Sequence, residues 1–136
     1  MQRFIVIFSL LLLMVGVASA PATANPPRVA LLELRGKVEA DLMALLSDKV
    51  RSGVLEATRG QDIIVMSREN MAVLAQDMGL DLSCIEGACE VETGRNIGAK
   101  YVVSGSVTEV GGLWLCNLKV HETANGALLA TGEAEA

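Results

Sequence analysis

The spacing of apolar residues along the chain switches repeatedly, and each switch marks the edge of an element. Arg28 to Leu34 reads RVALLEL, the near-continuous apolar run of a strand buried on both faces. Asn25-Pro26-Pro27 before it is a stiff, extended lead-in, and Arg35-Gly36-Lys37 after it breaks the run. From Val38 to about Thr58 the period becomes helical. Val38, Leu42, Leu45, Leu46, Lys49, Val50, Gly53 and Val54 fall on one side, with Asp41, Ser47, Asp48 and Arg51 mostly on the other. The pattern predicts a long amphipathic helix ending near Arg59-Gly60, where glycine suits a C-terminal cap.

Asp62 to Met66 predicts a second strand. Ser67 is a good N-cap for a helix over Arg68 to Met78, and Gly79 stops it. About Glu86 to Ile97 reads as a short helix closed by Gly98. Tyr101 to Val110 is a third strand, and Gly111-Gly112 is a two-residue hairpin signal. Leu113 to Glu122 is a fourth strand, Asn125-Gly126 a second hairpin turn, and Ala127 to about Gly132 the last strand. On the fourth strand Trp114, Cys116, Leu118 and Val120 should face the core, with Asn117, Lys119 and His121 pointing away. The fold class is therefore α/β (α+β): a mixed β-sheet with helices packed on it, in the order β-α-β-α-α-β-β-β.

The first 24 residues belong to none of this. Arg3 precedes an apolar run from Ile5 to Val17, and small residues follow, the layout of a secretory signal peptide. The run is short of the roughly 20 apolar residues a membrane span needs. Cleavage after Ala20 would leave Pro21 first, which processing disfavours, so the cut is expected after Ala24. An uncleaved anchor is the alternative, and the small residues before Asn25 argue against it. What remains, residues 25–136, is one domain in the periplasm or outside the cell, with no membrane span of its own. Losing Arg3 takes the basic count from 11 to 10 against 16 acidic residues, so the net charge moves from −5 to −6. An acidic domain with no basic stripe is a poor nucleic-acid binder. Only Tyr101 and Trp114 remain as aromatic residues, too few for a ring-stacking ligand platform.

Candidate chemistry is sparse. In an oxidising compartment Cys84 and Cys89 favour a disulfide across CIEGAC, provided Cys84 lies in the loop before the helix. Reduced structural thiols and a metal or redox site are the alternatives. The redox motif needs C-x-x-C, and a zinc site would have to recruit Cys116 and His121 from opposite faces of one strand. Cys116 reads as a buried free thiol. His121 reads as an exposed strand residue, and Glu86, Glu90 and Glu92 as a solvated helix face. Ser104-Gly105-Ser106 lies inside a strand, not on a nucleophile elbow. Gly94-Arg95-Asn96-Ile97-Gly98 ends a helix where a phosphate loop would begin one. No catalytic, cofactor-binding or metal-ligating residue stands out.

Several stretches together resemble a known family. They are PRVALLEL from Pro27 to Leu34, LSDKVR from Leu46 to Arg51, IVMSRENM from Ile64 to Met71, and IGAKYVVSGSV from Ile97 to Val107. In this they resemble the periplasmic α/β domain shared by CsgG, LpoB and the N-terminal domain of TolB, over most of the chain after Ala24. These motifs are structural, so no functional residue carries over. The amphipathic barrel hairpins of CsgG and the lipidated cysteine of CsgG and LpoB have no counterpart here, and the Cys84/Cys89 pair is not part of the general pattern. The resemblance implies a domain that docks other envelope proteins and has no active site and no cofactor. The exposed part of the Met71–Met78 helix and the edge of the C-terminal strand are the surfaces expected to do so. The alternative is a self-assembling subunit of an outer-membrane secretion or assembly complex. A small metal- or redox-active protein is a third reading, resting on Cys84, Cys89 and Cys116 alone.

Overall fold

The first apolar run does not stay one strand. In a computed structural model, which describes residues 24–80 and 88–136, it splits into β1 (Arg28–Leu31) and β2 (Arg35–Gly36). Both pair in parallel with β4 (Tyr101–Val110), Leu31 opposite Val103 and Arg35 opposite Ser106. Four steps along one chain thus meet three along the other, the count of a β-bulge. The bulge turns the Leu34 N–H out of the ladder. It donates instead to Ser47 Oγ on α1 (Ala40–Ala57) at 3.0 Å, and that hydroxyl donates to the Met43 carbonyl at 2.9 Å.

The remaining elements are β3 (Ile64–Val65), α2 (Arg68–Met78), α3 (Ala88–Asn96), β5 (Leu113–Glu122) and β6 (Leu128–Glu135). Ser67 caps α2 by accepting the Asn70 N–H at 3.1 Å, and Gly79 closes it in the left-handed conformation at φ 64°. Gly111 and Gly112 form the β4–β5 turn with φ of 61° and 85°, as a type I′ hairpin requires. Among the described residues six strands make one mixed sheet, ordered β3-β1-β4-β5-β6, with β2 on β4. The pairings among β1, β2, β3 and β4 are parallel, and β4-β5-β6 is an antiparallel meander.

Helices cover both faces of the parallel part. On one face Val29, Leu31, Leu34, Val103 and Val107 pack against Met43, Leu46, Val50 and Val54 of α1. On the other, Ala30 packs with Met66, Met71, Ile97 and Ala99, under α2 and the end of α3. α3 can approach β4 because residue 94 is glycine. A Cβ there would sit 2.9 Å from Thr123 Cγ2 and 3.0 Å from Val102 Cβ.

Several expectations need correcting. The first strand is two, for the bulge just described. The second keeps only Ile64 and Val65, and the last runs on through Gly132 to Glu135 because β5 pairs with it all the way. Ser47 is fully buried, not outward, since it serves the orphaned Leu34 N–H. Leu42 and Leu45, expected on the buried face, are 39% and 53% exposed. Glu90 is not solvated: it is 4% exposed, under the Arg35 guanidinium. Glu92 is exposed as expected, whereas Glu86 and Cys84 lie outside the described residues, as do all but the last residue of the expected signal peptide.

Candidate functional site

Among the described residues the helix cover thins beyond β4, with α1 reaching β5 at Trp114, Cys116 and Leu118. β5 is half-buried along most of its length, and every residue of β6 is exposed. Among the described residues β6 is also the sheet's long open edge. The opposite edge, β3, has only two residues, which is one of the ways natural sheets blunt an edge. β6 carries no proline and no lysine.

Its hydrogen-bonding pattern follows from one pair. Trp114 and Ala136 exchange both backbone bonds, at 2.9 and 3.0 Å. In an antiparallel ladder, bonded and non-bonded pairs alternate. Counting back along the register, Ala134 on Cys116, Gly132 on Leu118 and Ala130 on Val120 are bonded inward. The N–H and C=O groups of Thr131, Glu133 and Glu135 therefore point out of the sheet, toward the open edge.

The two faces of β6 differ. Residues directly opposite each other share a face. Ala130, Gly132 and Ala134 thus lie with Val120, Leu118 and Cys116 on the α1 side, and Thr131, Glu133 and Glu135 lie on the other with Lys119, Asn117 and Leu115. On the α1 side the small residues leave a trough of about 370 Å³ between helix and sheet. Leu42, Leu46 and Val50 form one wall, Trp114 and Cys116 the floor, and Ala134 the far rim. The exposure of Leu42 now has a reason: the apolar stripe of α1 is broader than the sheet it covers, and Leu42 faces this trough.

The second expected surface is thinner. On α2, Met71 is buried and Val73 and Met78 are 56% and 51% exposed, and neither lines the trough beside β6.

Two polar groups were missed or misjudged from the sequence. Glu90 Oε1 accepts from Arg35 Nη2 at 2.6 Å, and its Oε2 accepts from Ser104 Oγ at 2.7 Å. The trio ties α3 to β2 and β4. Glu90 and Ser104 are both under 5% exposed, so the trio fastens these elements from within. His121 is half-buried rather than exposed, with a buried Nδ1 that has no protein partner. The alternation of β5 holds: Cys116 and His121 face opposite sides, and Cys116 is a free, half-buried thiol whose pKa burial raises. Among the described residues no three of His, Cys, Asp and Glu converge as a metal site would require.

The class is thus an α+β domain with helices on both faces of a mixed sheet and an uncovered antiparallel edge. Within that class the fold is LpoB-like. The C-terminal domain of LpoB from Escherichia coli matches with a TM-score of 0.63 at 15% identity, over 88% of this chain and 88% of that one. The same domain from Salmonella enterica gives 0.63 at 13% identity, over 86% and 87%. Lipoprotein GNA1162 from Neisseria meningitidis gives 0.62 at 15%, over 82% and 80%. At such identities the likeness is one of fold. No family model matches the sequence, and no curated protein matches it. Among the described residues no helix is long and apolar enough to cross a membrane.

Proposed function

We propose that this protein is a non-enzymatic interaction module of the cell envelope, exported by a signal peptide cut after Ala24, that docks a partner protein on the β6 edge and its adjoining trough. The observation that carries the reading is the edge itself. Thr131, Glu133 and Glu135 offer a row of outward backbone donors and acceptors on a strand exposed throughout its length. Main-chain hydrogen bonds to an exposed edge give affinity, and side-chain pockets alongside give specificity. The LpoB-like fold is in keeping with a periplasmic location and with a role that needs no cofactor and no nucleic acid.

Thr131→Pro tests it. The substitution removes an outward N–H and leaves the inward ladder to β5 intact, so folding should survive while edge pairing does not. Captured from an envelope extract, a true partner is retained by the wild type and lost by the variant. Equal retention by both sinks the reading. Recovery of untagged copies of the chain itself would favour the alternative, a self-assembling subunit. The Cys84–Cys89 bridge belongs to the same reading, as a staple at the entry to α3. The intact protein should then weigh two protons less than the reduced chain, with the loss confined to one bridged peptide. By loop entropy such a bridge adds roughly 2 kcal/mol of stability.

A further inference from the structure

On the reading that β6 is the docking edge, we propose that its partner is an extended segment alternating basic with bulky apolar side chains, added to the sheet as a further strand. The backbone sets the register. A strand added antiparallel to β6 must pair with the outward groups of Thr131, Glu133 and Glu135, and residues in such bonded pairs stand directly opposite each other. Those incoming residues put their side chains on the same face as Glu133 and Glu135, so cations there meet two carboxylates spaced two residues apart. The incoming residues between them turn to the other face. There they meet the lane of Ala130, Gly132 and Ala134, small enough for large apolar groups to lean across it into the trough over Trp114 and Cys116.

The same charges argue against a second copy of this chain. The antiparallel register that engages all three outward residues of each copy sets Glu133 against Glu133, and like charges directly opposite destabilise a pair. It also leaves both small-residue lanes unfilled.

The test is a short blocked peptide alternating lysine and valine, added to the protein expressed from its full sequence and followed by backbone amide exchange. Binding should slow exchange at Thr131, Glu133 and Glu135 and leave Ala130, Gly132 and Ala134 as they were. Glu133→Gln with Glu135→Gln, two surface changes, should weaken affinity roughly threefold to tenfold at low salt, and the difference should shrink as salt rises. Methylating the alternate peptide nitrogens that face β6 should abolish binding, a control that does not depend on how any protein variant folds. The proposal is overturned if a peptide of the same composition in two blocks binds as well. It is also overturned if alternating glutamate and valine binds as well, or if the double glutamine variant binds unchanged. Should the lysine peptide fail while Thr131→Pro still abolishes capture of an envelope protein, the basic chemistry is wrong and the docking edge stands. Should the peptide fail and capture be indifferent to Thr131→Pro, both fall.

Discussion

At the scale of single residues, the least exposed polar group explains most. Ser47 sits at 0% exposure because the bulge between β1 and β2 orphans the Leu34 N–H, and a hydroxyl on α1 takes it up. Replacing Ser47 by Ala leaves that donor buried and unpaired. It should cost about 1–3 kcal/mol, read as a lower denaturant midpoint at unchanged slope. Helical spacing alone assigns Ser47 outward, because nothing in RVALLEL announces an extra residue in the strand. Glu90 was misread for a related reason: a carboxylate on a short helix looks solvated until the topology brings Arg35 and Ser104 to it from distant segments. Local chemistry was easier to see. Ser67 was legible as a cap, and Glu69 completes that cap. The Glu69 carboxylate is held below its ordinary pKa chiefly by a hydrogen bond from its own backbone N–H, then by one from the Ser67 hydroxyl. A lowered carboxylate pKa gives support that is present above the ordinary carboxylate range and lost as pH falls through the lowered value. Protection of the first-turn amides of α2, taken as exchange relative to an unstructured peptide at the same pH, should therefore fall on acidification, and Glu69→Gln should remove that pH dependence.

At the scale of elements, the hairpins were legible and the joins were not. β4 and β5 fall where the sequence placed them, since Gly111-Gly112 fixes their turn and their side chains alternate cleanly. α3 was legible as a helix but not its seating, which depends on Gly94 meeting Val102 and Thr123. Gly94→Ala sets two effects against each other. Alanine favours a helix interior by up to about 1 kcal/mol. Against that, the new methyl meets Val102 Cβ, which is fixed to the central strand, and Thr123 Cγ2. Thr123 cannot swing aside without giving up the 2.7 Å bond from its hydroxyl to the Ala99 carbonyl. The clash should win, with a net loss of about 1–3 kcal/mol. A melting temperature equal to or above the wild type's would show that α3 can shift outward at little cost.

At the scale of the whole molecule, what stands out is how unevenly the sheet is clothed. Among the described residues α1 covers one face of β1 and β4 and reaches β5 at Trp114, Cys116 and Leu118, α2 and α3 cover the other face, and β6 is exposed throughout. Adjacent strands lie about 4.8 Å apart, so one added strand would sit directly beside the exposed β6. From the sequence the apolar residues of α1 read as one buried face, and only the sheet's actual width turns part of that face into the wall of an open trough. Cys116 on its floor makes the trough measurable. Burial raises the thiol's pKa, and only the thiolate reacts, so alkylation should be slow at neutral pH, with a pH profile displaced above that of an exposed cysteine. For an acid whose pKa is raised on folding, the folded state favours the neutral form. That contribution is whole below the ordinary thiol range and lost as pH climbs through the raised value. A strand added to β6 with its apolar side chains across the Ala130–Gly132–Ala134 lane closes the trough from its open rim. Cys116 alkylation at fixed pH should then slow as the occupant is titrated in, in step with protection of the Thr131, Glu133 and Glu135 amides. Protection of those amides with no change at Cys116 would mean that the partner holds the edge and leaves the trough empty. Shielding of Cys116 with the amides still exchanging would mean that the trough, and not the edge, is what this fold presents.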